Sequence, residues 1–280
     1  MSRIQASASA ILFASILGCG GPEKELPKDI GTANERGKEE EVVVPVPATS
    51  QPDAAKLIAK CIAAATEGHP ERLERAKANR LTEQGRLLRE TSFVPTRRKI
   101  AAVWPDRFYF ADESNAGAAL KISIGLRQQS LTFRRNDEAF DPGLPKGYEQ
   151  ILHVDGLGLH WMSTLVPLAD PKAILFGLKK QSLGNQNWDT VQVSLPACPI
   201  FTVWFDETTN LLGYVTYIHA EGSSRLNKRL AVSGHKPFAG VQLPMRIEFE
   251  RNGLLVESWS VSAWEFPDKI EDAVFDQTAK

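Results

Sequence analysis

The run from Pro199 to Asp276 constrains this chain more than any other part of it. Apolar and polar residues alternate there through consecutive stretches separated by turn signals, the pattern of antiparallel strands with one buried face. Phe201, Val203 and Phe205 point one way, and Tyr214, Thr216 and Ile218 match them on the next strand. Met245, Ile247 and Phe249 alternate with Arg246, Glu248 and Glu250, and Trp259, Val261 and Ala263 alternate with Ser258, Ser260 and Ser262. Asp206 to Asn210 and Asn252-Gly253 supply hairpin turns, Asn-Gly being the stronger signal. The chain must therefore bury one face of a large sheet.

The beginning of the chain reads differently. Arg3 is a short positive region, and Ala8 to Leu17 is an apolar run too short to span a bilayer, which needs about 20 residues. Ile16-Leu17-Gly18-Cys19-Gly20 resembles a bacterial lipobox, in which the cysteine is diacylated and becomes the mature N-terminus. The expectation is a lipoprotein signal peptide over 1–19 and a lipid anchor on Cys19. Two acyl chains hold a protein to a membrane durably, whereas one does not. The residue after the cysteine is Gly20 rather than the aspartate that marks inner-membrane retention, which favours the outer membrane.

Residues 20–52 carry seven acidic against four basic side chains, several Gly and Pro, and almost no sizeable apolar content. Such a segment cannot bury enough surface to offset ordering and is expected to be a disordered tether. Over the whole chain the net charge is -1, with 42% hydrophobic and 24% charged residues. That balance gives no basic stripe for nucleic acid.

From residue 53 to 280 the pattern is that of one α+β domain. Ala54, Leu57, Ile58, Cys61, Ile62 and Ala65 recur at helical spacing, and Gly68 and Pro70 end that helix. A short helix is expected from Glu71 to about Ala78. Strands follow at 80–91, 98–104 and 107–112. Another is centred on Leu120, Ile122, Ile124 and Leu126, with Ser123 and Gly125 on its opposite, solvent-facing side. Residues 146–180 have helical spacing interrupted by Gly156, Gly158, Pro167 and Pro171, which predicts two or three short helices inserted between two blocks of strand.

Three stretches carry a family resemblance. VWFDETTNLLGYV is similar to a strand–turn–strand, GHKPFAGVQLPMRIEFERNG to an aromatic–glycine–Leu-Pro strand opening, and SAWEFPDKIEDAVFD to the closing strand and acidic turn of the LolA-like superfamily of bacterial envelope proteins. That superfamily includes LppX-like lipoproteins and large paralogous sets in planctomycete-type bacteria. The resemblance implies a strongly curved antiparallel sheet, an unclosed half β-barrel. It also implies an N-terminal helix and inserted short helices covering the concave face, with acyl chains bound between the two layers. On that basis the groove residues are Phe108, Phe110, Ile122, Ile124, Phe133, Phe205, Ile218, Ile247 and Trp259. The carriers of the family keep an arginine facing the cavity, for which Arg80, Arg86, Arg98 and Arg107 are all candidates.

No catalytic signature accompanies this fold. The chain lacks G-x-S-x-G, H-E-x-x-H, Cys-x-x-Cys and P-loop patterns. Its five histidines, at 69, 153, 160, 219 and 235, complete no metal set and read as solvated or capping groups. No cofactor is expected. Cys61 and Cys198 can form a disulfide in an oxidising envelope, or be two small buried residues, which their apolar settings explain equally well. The function expected is a membrane-anchored, non-catalytic envelope lipoprotein that binds an acyl chain, a lipoprotein or another hydrophobic ligand. The alternative is a structural or interaction protein with a filled core, and an envelope hydrolase is a distant third.

Overall fold

A computed structural model describes residues 45–89, 91–114, 120–128, 130–143, 148–221 and 224–277. The signal-peptide and Cys19 readings, and all but the end of the 20–52 segment, fall outside these residues.

Thirteen strands form one antiparallel sheet that does not close on itself. The chain enters it in the middle. Strand β1 (Ala78–Arg89) is followed outward by β2 (Ser92–Val103), β3 (Arg107–Ser114), β4 (Leu120–Arg127), β5 (Ser130–Arg135) and the short β6 (Glu138–Ala139) at one edge. Residues 148–169 then cover the sheet, and the chain re-enters at the opposite edge with β7 (Ile174–Leu183). It returns inward through β8 (Gln186–Ser194), β9 (Phe201–Asp206), β10 (Leu212–Glu221) and β11 (Ser224–Ser233). Last come β14 (Arg246–Arg251) and β15 (Leu254–Glu265), which pairs with β1. A two-stranded hairpin, β12 (Lys236–Phe238) with β13 (Val241–Leu243), interrupts that return. This is the α+β unclosed half-barrel expected from the sequence. Because the two ends of the covering segment belong to opposite edges of the sheet, connectivity carries that segment across the face.

The covering segment consists of α3 (Tyr148–Gly156), a π-helical turn at Leu157–Trp161 and 3₁₀ turns at Met162–Thr164 and Val166–Ala169. Helix α1 (Pro52–Ala65) packs on β7 and the small hairpin, burying Ala54, Ile58, Cys61, Ile62 and Ala65 in the main core. A 3₁₀ turn and the short α2 (Leu73–Ala76) connect it to β1. The body begins slightly before α1. The Ser50 hydroxyl accepts from the Leu175 amide at 3.0 Å, and the Gln51 amide donates to the Leu175 carbonyl at 2.8 Å.

Three details depart from the sequence expectation. First, helical spacing does not extend to Lys180, because β7 begins at Ile174. A three-residue apolar run such as Ile174-Leu175-Phe176 has no period of its own, and the strand bulges at Gly177, where φ is +63°. Second, Ile218 does not share the inner face with Phe205. Leu212 pairs with Phe205 but Tyr214 pairs with Trp204, so Gly213 is an extra residue that flips the alternation. Val215 and Tyr217 are consequently buried and Ile218 is 48% exposed. Only glycine fits that bulge, since a Cβ there would lie 2.2 Å from the Trp188 ring. Third, the outer side of β4 is not solvated. Helix α4 (Asp272–Phe275) packs on it, burying Phe275 and leaving Ser123 to donate to Gln277 Oε1 at 2.5 Å.

Candidate functional site

A cavity of about 80 Å³ lies between the covering segment and the inner face of the central strands. Four of the nine residues named from the sequence line it: Phe108, Phe110, Ile247 and Trp259. Ile122, Ile124 and Phe205 are buried in the surrounding core but do not reach it. Phe133 is half-buried against Phe140, with ring centroids 6.2 Å apart, and Ile218 faces outward. Leu152, Gly156 and Leu159 of the covering segment form the roof.

The floor is crossed by a row of charge. Glu83 on β1 pairs with Arg98 on β2, which pairs with Asp112 on β3, so three ionisable side chains lie side by side on the concave face. Arg98 Nε and Nη2 donate to the two Asp112 oxygens at 2.6 and 2.9 Å, and Nη1 donates to Glu257 Oε2 at 2.6 Å. Trp259 Nε1 donates to the same Glu257 oxygen at 2.8 Å, and the Arg98 guanidinium stands 4.2 Å over the Trp259 ring. Arg98 is thus the one of the four candidate arginines that lines the cavity.

Glu83 fares differently. It is 2% exposed, its Oε1 is 3.9 Å from Arg98, and its Oε2 has no hydrogen-bond partner. Burial, with the Glu257 and Asp112 carboxylates beside it, outweighs Arg98 and pushes its pKa up to about 8.

A second buried charge pair fixes the roof to the sheet. Asp155, near the end of α3, accepts from Lys228 Nζ on β11 at 2.7 and 2.8 Å and from the Tyr217 hydroxyl on β10 at 3.1 Å, with His219 Nδ1 3.8 Å away. Burial raises the Asp155 carboxyl, but His219 and Lys228 more than offset it and hold the carboxyl below its usual value. Gly158 lies against Tyr217, where a Cβ would come within 2.6 Å of the ring. His160 continues the contact. It is buried rather than solvated, hydrogen-bonded through Nε2 to Asn79 Oδ1 at 2.8 Å and stacked on Trp264, and burial pushes its pKa down to about 3.

The cysteines are free thiols. Cys61 is buried on α1 and Cys198 is half-buried at the core margin, and burial pushes their pKa values up to about 12 and about 11. The bridge considered from the sequence is not formed. Among the described residues, no group of three or more His, Cys, Asp or Glu is placed to hold a metal, and no helix is long and apolar enough to cross a membrane.

The charged row had a sequence signal. Glu83, Arg98, Asp112 and Glu257 each sit two residues from an inward apolar neighbour (Leu81, Ile100, Phe110 and Trp259), so each is a polar residue in the buried phase of its strand. Lys228 carries the same signal, two residues from the buried Leu226 and Leu230 on β11, whereas Asp155 does not, since its meeting with Lys228 depends on where α3 lands.

No protein-family model matches the chain, and no curated protein matches it in sequence. Solved structures do. A LolA superfamily protein from Nitrosomonas europaea is 12% identical, with 73% of this chain and 96% of that one covered and a TM-score of 0.47. A domain from Vibrio parahaemolyticus described as an outer membrane lipoprotein-sorting protein is also 12% identical, with 81% and 97% covered and a TM-score of 0.45. A DUF1329 family protein from Desulfovibrio piger is 10% identical, with 82% and 98% covered and a TM-score of 0.46. The superfamily that the C-terminal motifs resemble is represented among these neighbours. No property of theirs is carried over to this chain at such distances.

Proposed function

We propose that this chain is a non-catalytic lipoprotein of the bacterial envelope, anchored at the outer membrane through lipid on Cys19. In this reading residues 1–19 are its signal peptide, the segment from Gly20 up to Ser50 its tether, and the remainder a half-barrel body. That body takes an acyl chain, presented by a lipid or a lipoprotein, between its concave sheet and the segment 148–169. The observation that carries the reading is the cavity between those two layers, with Phe108, Phe110, Ile247 and Trp259 on one side and Leu152 and Leu159 on the other. Its size of about 80 Å³ is well below the roughly 300–1,000 Å³ of ordinary ligand pockets, so an acyl chain is accommodated only when the roof moves. Burying a chain of about fifteen methylenes releases roughly 12 kcal/mol, which offsets the cost of lifting a roof whose Leu152, Val154, Trp161 and Met162 are buried in the main core.

The small cavity favours a second reading, in which the body is filled and holds nothing. Extraction separates the two. The purified full chain is stripped with organic solvent, its melting temperature measured, and the extract added back. Binding predicts an acyl compound in the extract and a rise of several degrees on its return. An empty extract, with no shift from any added single-chain amphiphile, supports the filled body instead. The anchor is tested separately by fractionation. Wild-type chain should partition with membranes and Cys19→Ser should be released, whereas identical partitioning would contradict the anchor.

A further inference from the structure

We propose that the polar floor of the cavity is a subsite for the ammonium head of an amphiphile, received by Glu83. The inference rests on the reading above that the space under the roof opens to a hydrophobic chain, and it specifies the head such a chain carries.

Most charges around the cavity are already satisfied. Arg98 has its guanidinium committed to Asp112 on one edge and Glu257 on the other. It therefore offers an incoming anion nothing without first breaking short, buried ion pairs. Asp155 is likewise taken up by Lys228 and Tyr217. The carboxylates of Asp112, Asp155 and Glu257 are each held by a cation, Arg98 or Lys228. The Glu83 carboxyl is not. It keeps its proton at pH 7, its Oε2 is buried in the cavity wall without a hydrogen-bond partner, and its Oε1 stands 3.9 Å from Arg98.

A buried acceptor with no donor is a standing cost that a ligand can remove. An ammonium head takes the place of the Glu83 proton, which leaves to solvent, and forms the close ion pair that Arg98 does not, while the Phe108 and Phe110 rings lining the cavity tolerate a cation. A hydroxyl head supplies the donor alone. A carboxylate or phosphate head brings no such donor and adds negative charge beside Glu257 and Asp112. The cavity, at about 80 Å³, suits a small head better than a sugar or a phosphodiester.

The test uses the full chain at pH 7 and three twelve-carbon probes below their micelle thresholds: dodecylammonium, dodecan-1-ol and dodecanoate. Affinities are read by titration of tryptophan fluorescence. The expected order is ammonium tightest, alcohol intermediate and carboxylate weakest, with at least tenfold between the first and last. Glu83→Gln should lose at least tenfold for dodecylammonium while changing dodecan-1-ol by less than threefold. Equal or tighter binding of dodecanoate overturns the head assignment and leaves the acyl-groove reading standing. An unchanged dodecylammonium affinity in Glu83→Gln does the same. Failure of all three probes to bind overturns both. The comparison of probes on the wild-type chain stands even where the variant folds poorly.

Discussion

Glu83 is where a single side chain sets a measurable property of the whole protein. Its carboxyl titrates near 4.5 when unperturbed and at about 8 in the folded chain, so between those values the folded state holds a proton that the unfolded state has lost. Stability therefore falls as pH rises through that window. His160 and His235 act in the opposite sense. Burial pushes them down to about 3 and about 4, so the unfolded chain takes up protons first and stability is lost as pH falls below 6.5. Above pH 7 the two histidines are mostly neutral in both states, so Glu83 dominates up to pH 8. We predict that the urea midpoint of the wild type declines from pH 7 to 8, by an equivalent of roughly 1 kcal/mol or a little less, and that Glu83→Gln removes the decline. A flat wild-type profile would contradict the buried, partnerless placement of this residue. Glu83 was legible as a polar residue in the buried phase of its strand, but its neighbours were not. Only the register of β1 on β2 and of β2 on β3 makes Glu83, Arg98 and Asp112 one row.

At the scale of elements, the roof is held by chemistry that differs from its packing. Asp155 ends α3 in a buried ion pair with Lys228, whose side chain is 0% exposed. Removing one partner of such a pair strands the other, at a cost of about 3–5 kcal/mol. Asp155→Asn should lower stability by about that amount. It should also speed hydrogen exchange of amides in 148–169 while those of β8 and β9 stay protected. Uniform acceleration across the sheet would mean that the roof does not open on its own. The sequence marked this segment as interrupted helix through Gly156, Gly158 and Pro167, and that much holds. It could not mark where the helical segment stops and β7 starts, nor that Gly213 inserts one residue into β10 and turns Ile218 outward. Alternation predicts faces only while the count is unbroken, and a bulge breaks the count without altering composition.

At the scale of the molecule, the sheet is two meanders sharing the β1–β15 seam, and the chain passes from one free edge to the other over the concave face. This connectivity places a covering layer over the concave face, and it explains why the sequence conveyed the container better than its contents. Strand alternation is local, whereas the space left between sheet and roof depends on how two distant segments settle together. The cavity is only about 80 Å³, so in the proposed function acyl-chain binding and roof movement are a single event. Native mass spectrometry of the full chain purified from membranes tests it most directly. The account predicts a population carrying one non-covalent acyl-chain compound in addition to any covalent lipid, or one equivalent of added dodecylammonium retained after exchange into volatile buffer. A single mass, unchanged by either source of ligand, would contradict it.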